Sequence, residues 1–188
     1  MSCNQPLSEV TRIYLCRFED ILEEMIADMT EAKLTGSLSH NFIVQMIPHH
    51  RAAIEMSRNV LQYTTCIPVQ NIAQTIIREQ TRSIDNMQRI LEGCSEADNT
   101  ERDLCLYQKE FRQIAQTMFT QMRETCSDNN VNGNFMREMI PHHEGAIRMS
   151  RNALQYALCP ALVPILRAII SSQEKGVREM KGLLCKLS

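Results

Sequence analysis

The strongest constraint on this chain is that it repeats itself. Ile47-Pro48-His49-His50 returns as Ile140-Pro141-His142-His143, an offset of 93 residues. At that offset, with no gap, residues 14–92 and 107–185 share 29 identities in 79 positions. Ordinary residue frequencies would give roughly five. A duplicated unit has to fold the same way twice, so every element read in one half is read in the other.

What the halves retain is selective. Ten of twelve methionines and four of five histidines fall on their own kind, but two of eight cysteines, Cys66 and Cys159. Charges beside the paired histidines are not kept. Arg51 meets Glu144, Glu55 meets Arg148, and Glu79 meets Ser172. The shared chemistry is that of imidazole and thioether, not of carboxylate.

The periodicity predicts three helices per half and an all-α fold. Tyr14, Phe18, Ile21, Met25 and Met29 step by three or four, one apolar stripe of a helix near 8–33. Gly36 and Ser37 break it. Asn41 is the expected N-cap of a second helix running to Tyr63. Ile67-Pro68 marks the next turn, and Ile72, Ile76, Ile77, Ile84, Met87 and Leu91 stripe a third helix to about 92. The second set is expected near 101–125, 134–156 and 161–186, after a polar linker at 94–100. The units are 1–95 and 96–188. Short connections favour antiparallel neighbours, hence a bundle with a pseudo-two-fold axis. Pro48 and Pro141 fall inside the second helices, where each either starts the regular helix or removes a hydrogen bond and kinks it, exposing carbonyl oxygen beside the histidines.

Helix geometry gathers the retained residues. Positions three, four and seven apart share a face. Met46, His49, His50 and Met56 therefore bracket two imidazoles with two thioethers, and Met139, His142, His143 and Met149 repeat the set. Met87 and Met180, on the third helices, are placed to close the sphere. Gln80 and Gln173 are placed to orient a ligand from behind. Imidazole suits copper, zinc, nickel and iron, and thioether adds a preference for Cu(I) or Ag(I). The expected site holds one soft ion per half on His49 and Met56, or His142 and Met149, with Met46 or Met139 third. A ligating imidazole is neutral, so binding is expected to weaken as pH falls through ~6.5. Methionine stripes at this spacing also serve as plain core filling, and adjacent histidines also occur at helix ends.

The bulk properties exclude some partners. The net charge of −2 gives no basic excess for nucleic acid. No apolar run approaches the ~20 residues of a membrane span. No basic stretch followed by an apolar one opens the chain, which makes a cytoplasmic location the default, or an exported one if a leader has been removed. The eight cysteines contain no Cys-x-x-Cys pair, against a zinc module. A bridge common to both halves would have to use Cys66 and Cys159, which otherwise read as small buried residues near a turn.

Phe42-x-x-x-Met46-Ile-Pro-His-His-x-x-Ala53-Ile54-x-Met56, and His142-His143-Glu144-Gly145-Ala146-Ile147-x-Met149, resemble the signature of the bacterial family called domain of unknown function 305. The helix carrying Gln80, Ile84 and Met87 resembles the one that follows it. The resemblance covers about 40–92 and 134–184. It implies a ferritin-like helical bundle, copper or silver binding, a role in metal tolerance, and ligands among Met46, His49, His50, Met56, Met87 and their counterparts.

The leading expectation is thus a binder or buffer of Cu(I), with silver or zinc as other ions, and with a homo-oligomer among its assemblies. Two others stand beside it: a di-iron or other metal-dependent redox enzyme of the ferritin-like kind, and a metal-free helical interaction protein. The enzyme reading lacks the Glu-x-x-His pairs such bundles use.

Overall fold

The computed structural model describes residues 6–96 and 98–187, and side chains of all of these but residue 187. It is all-α: α1 (Glu9–Glu31), α2 (Leu38–Leu61), α3 (Ile67–Cys94), α4 (Glu101–Arg123), α5 (Val131–Ala153) and α6 (Leu162–Leu187). The expected stripe of α1 is buried throughout. On α3, Ile76, Ile84 and Met87 are buried, while Ile72, Ile77 and Leu91 are half-buried against the core.

Helix starts follow local chemistry. The side chains of Ser8, Ser37, Thr100 and Asn130 accept the N–H three residues on, as N-caps do. Ser37, not Asn41, therefore caps α2, which begins at Leu38 rather than 41. The Asn41 side chain instead accepts the Thr35 N–H and donates to the Thr35 carbonyl, closing the loop before the helix. Asn134 does the same with Asp128, so α5 also starts earlier than expected, at Val131.

Other bonds recur at the same offset. Asn59 Nδ2 donates to the Tyr14 carbonyl at 3.0 Å, and Asn152 Nδ2 to that of Tyr107 at 3.1 Å. Tyr14 meets Tyr63 edge-on, and Tyr107 meets Tyr156 likewise. Each buried amide adds a second bond to a mid-helix carbonyl and so ties the second helix of its half to the first.

Within each half the second helix packs against the first and third, and the halves join through α2 against α5 and α3 against α6. Both prolines sit inside unbroken helices. Gly145 lets α4 close on α5, since a Cβ there would run into the Met118 side chain. Its counterpart is Ala52.

Cys66 and Cys159 are half-buried rather than buried, and the bridge that one of them makes is not common to the halves. Cys66 is a free thiol and the N-cap residue of α3. Its counterpart Cys159 is bonded to Cys94, at the end of α3. Position 94 plus 93 is Leu187, so this bridge has no twin. The repeat gives no hint of it, because Cys159 is bonded to a cysteine that the other half lacks.

Candidate metal centre

α2 and α5 lie against each other with their histidines at the crossing. His49, His50 and His142 have no exposed surface and His143 has 3%. Their rings form one row through the core: His50 to His49 is 5.9 Å between centroids, His49 to His142 is 3.7 Å, and His142 to His143 is 5.9 Å. Adjacent residues on a helix diverge by 100°, which explains the pattern. The first histidine of each pair turns to the other half and the second to its own third helix. His49 thus stacks on His142, while His50 faces Ser83 on α3, with Nε2 3.0 Å from its hydroxyl. His143 faces α6 at Gly176, whose absent Cβ would lie 3.1 Å from His143 Nε2 and 4.0 Å from the Met180 methyl. Met180 and His143 therefore flank the same point. Ser83 and Gly176 are repeat counterparts, so the two outer histidines differ in partner.

His142 Nε2 lies 3.1 Å from the His49 carbonyl. A carbonyl accepts only, so Nε2 carries the proton and Nδ1 keeps its lone pair. That Nδ1 is buried and has no hydrogen-bond partner. Both ring nitrogens of His49 and the Nδ1 atoms of His50 and His143 are in the same position. Groups of this kind normally have partners when buried.

Burial sets their charge. Desolvation lowers the pKa of His50 from 6.5 to about 3, with His142 adding repulsion. It lowers that of His142 to about 4, against the hydrogen bond to the His49 backbone. His49 and His143 are pushed well down by desolvation and then by the neighbouring imidazoles. All four are neutral at pH 6. The expectation that protonation near 6.5 would remove the ligands is corrected by this: burial moves that event well into acid.

Met46, Met56, Met87, Met139, Met149 and Met180 are buried with exposures of 1% or less. Among the described residues, no three His, Cys, Asp or Glu side chains converge as a ligand group. An ion held here would be held by imidazole and thioether. Gln80 and Gln173 are buried on α3 and α6, and each leaves Oε1 without a partner.

One buried acid escaped the sequence reading because its partner lies 124 positions away. Tyr14 Oη donates to Glu138 Oε2 at 2.6 Å. Desolvation raises the Glu138 pKa to about 7, against the Tyr14 bond and the Arg137 charge. Its counterpart is Gln45. Folded Glu138 therefore holds a proton that the unfolded chain gives up near 4.5, and stability falls as pH rises between these values. Glu138→Gln should stabilise the protein at pH 8 by roughly 2–3 kcal/mol, with the gain shrinking towards pH 5. Urea denaturation at the two pH values checks this, and an equal gain at both would refute it.

The chain belongs to the DUF305 family, whose model, described as a domain of unknown function, matches residues 39–184. Two solved structures share the fold. A DUF305 fragment from Deinococcus radiodurans is 21% identical with a TM-score of 0.59, covering 82% of this chain and 98% of that one. CopM in its silver-bound form, obtained by soaking, is 26% identical with a TM-score of 0.59, covering 79% and 95%. No curated protein matches the chain.

Proposed function

We propose that this protein binds a soft monovalent ion, Cu(I) or Ag(I), on the duplicated histidine–methionine cluster. The observation that carries the reading is the row of four buried, neutral imidazoles with unpartnered ring nitrogens in a methionine-rich core. Neutral imidazole and thioether are the donors such ions favour. The absence of a carboxylate or thiolate partner in that cluster bears on charge. Burying an ion without counter-charge is costly, and the cost rises with the square of the charge, which favours a monovalent ion over Zn(II) or Cu(II). The silver-bound relative supports the same choice.

The ligands are drawn from Met46, His49, His50, Met56 and Met87 in one half and Met139, His142, His143, Met149 and Met180 in the other, with Gln80 and Gln173 behind them. The two halves, 1–95 and 96–188, form one unit around this row. Binding and buffering, rather than turnover, is the role. No helix among the described residues is long and apolar enough to cross a membrane. The Cys94–Cys159 bond favours an oxidising compartment over the cytoplasm.

The test is titration of Cu(I) against a competing chelator, and of Ag(I), which needs no reductant. The thiols of Cys16, Cys66, Cys105 and Cys185 are blocked first, because thiolate would compete. Replacing His49 and His142, His50 and His143, or Met56 and Met149 by leucine keeps the core apolar and roughly filled. Affinity should fall by more than the roughly 10–100-fold that outer-shell changes cost in at least one histidine pair, and less in the methionine pair. Unchanged affinity in all three variants would reduce the cluster to core packing.

A further inference from the structure

The outer end of the histidine row borders a cavity. This cavity of about 290 Å³ opens between α3 and α6, and His50 lies at its inner end with Gln80, Ser83 and Gln173 along its walls. Glu79 and Arg82 stand among its other lining residues. Three of its polar atoms are buried and unpartnered: Gln80 Oε1, Gln173 Oε1 and His50 Nδ1. Gln80 and Gln173 are repeat counterparts, so matching amide side chains from the two halves line one cleft. Amide oxygen is a neutral donor that holds a cation weakly, which suits a stopping place from which an ion must move on.

The opposite end of the same seam is built differently. It is lined by Arg78, Lys175, Arg178 and Lys186 beside Glu179, with no histidine among the described residues. Four cations repel an arriving ion. The difference comes from residues that the duplication did not keep: Asp85 stands where Arg178 does in the other half, Gly93 where Lys186 does, and Ser171 where Arg78 does.

We propose that the α3–α6 cleft on the His50 side is the port through which a soft monovalent cation reaches the buried histidines, with the amide oxygens of Gln80 and Gln173 as handover ligands. This rests on the metal-binding reading above. His50 is then met first, and the second half is loaded through the first, across the His49–His142 stack.

Loading speed tests it. Stopped-flow mixing follows transfer of Cu(I) from a coloured chelate to thiol-blocked protein, and equilibrium titration is run on the same samples. Ala168 lines the cleft from an exposed position, so Ala168→Phe plugs the mouth without entering the core. Gln80→Leu with Gln173→Leu removes the handover oxygens. Both should slow loading by at least about tenfold, and Ala168→Phe should leave equilibrium capacity intact. Arg78→Ala with Lys175→Ala, at the other end, should load at the wild-type rate. Loading at the wild-type rate in the plugged variant would overturn the port, as would lost equilibrium capacity there, which would make the cleft the site itself. If the wild type takes up no Cu(I), the binding reading fails instead, and the two failures are told apart.

Discussion

The metal-free protein should lose stability steadily in mild acid, from about pH 6 downwards. Each buried histidine stays neutral in the fold but protonates near 6.5 once unfolded. Below 6.5 the unfolded state binds more protons, so stability falls as pH falls until the folded pKa is passed. At pH 5 His50 and His142, with folded pKa values of about 3 and 4, each cost about 2 kcal/mol, at 1.36 kcal/mol per pH unit below 6.5. These two lose about 4 kcal/mol, against a typical total of 5–15 kcal/mol, and His49 and His143 add to the loss in the same direction. Glu138 works the other way and returns about 2 kcal/mol over the same interval. The net slope at pH 5 should be at least about one proton. Denaturant titrations from pH 8 to 4.5 measure it, and His50→Leu with His142→Leu should lower it by about two. A stability that stays level from pH 7 to 5 would mean that these imidazoles are solvated or already charged.

Loss of the Cys94–Cys159 bond should cost the next largest amount. It closes a span of 65 residues, for which loop-closure entropy gives an upper value of about 4 kcal/mol. It also ties a junction that several bonds share. Ser37 Oγ donates to the Cys94 carbonyl at 2.7 Å, the Cys159 N–H to Ser39 Oγ at 2.9 Å, and Asn99 Nδ2 to the Ala157 carbonyl at 2.8 Å. The start of α2, the end of α3 and the loop before α6 thus meet at one place. Cys94→Ala with Cys159→Ala should lower unfolding free energy by about 2–4 kcal/mol, and Cys66→Ala by far less. An equal effect of the two changes would show that the bridge carries no constraint of its own.

The architecture is largely readable from the chain because duplication doubles every signal. A stripe such as Tyr14, Phe18, Ile21, Met25 and Met29 appears twice, and chance does not repeat itself at a fixed offset. The histidine cluster is readable for the same reason, as is the divergence of each pair around its helix. What stays hidden is long-range or unduplicated. The stacking of His49 on His142 depends on how α2 crosses α5, which no local pattern encodes. The Tyr14–Glu138 bond joins α1 to α5, and its counterparts are Tyr107 and Gln45, so the repeat gives no hint of an acid there. The cleft over His50 lies between α3 and α6, one helix from each half, which no local pattern brings together. Asn41 misleads because asparagine ties off the loop before a helix as readily as it caps one.

Whether imidazole and thioether together hold the ion is answered most directly by X-ray absorption at the copper K-edge. Cu(I)-loaded, thiol-blocked protein should show a first shell of nitrogen and sulfur together. The sulfur contribution should drop when Met56 and Met149 or Met87 and Met180 become leucine. A shell of nitrogen and oxygen without sulfur, or of sulfur without nitrogen, would contradict shared ligation and place the ion outside the histidine–methionine row.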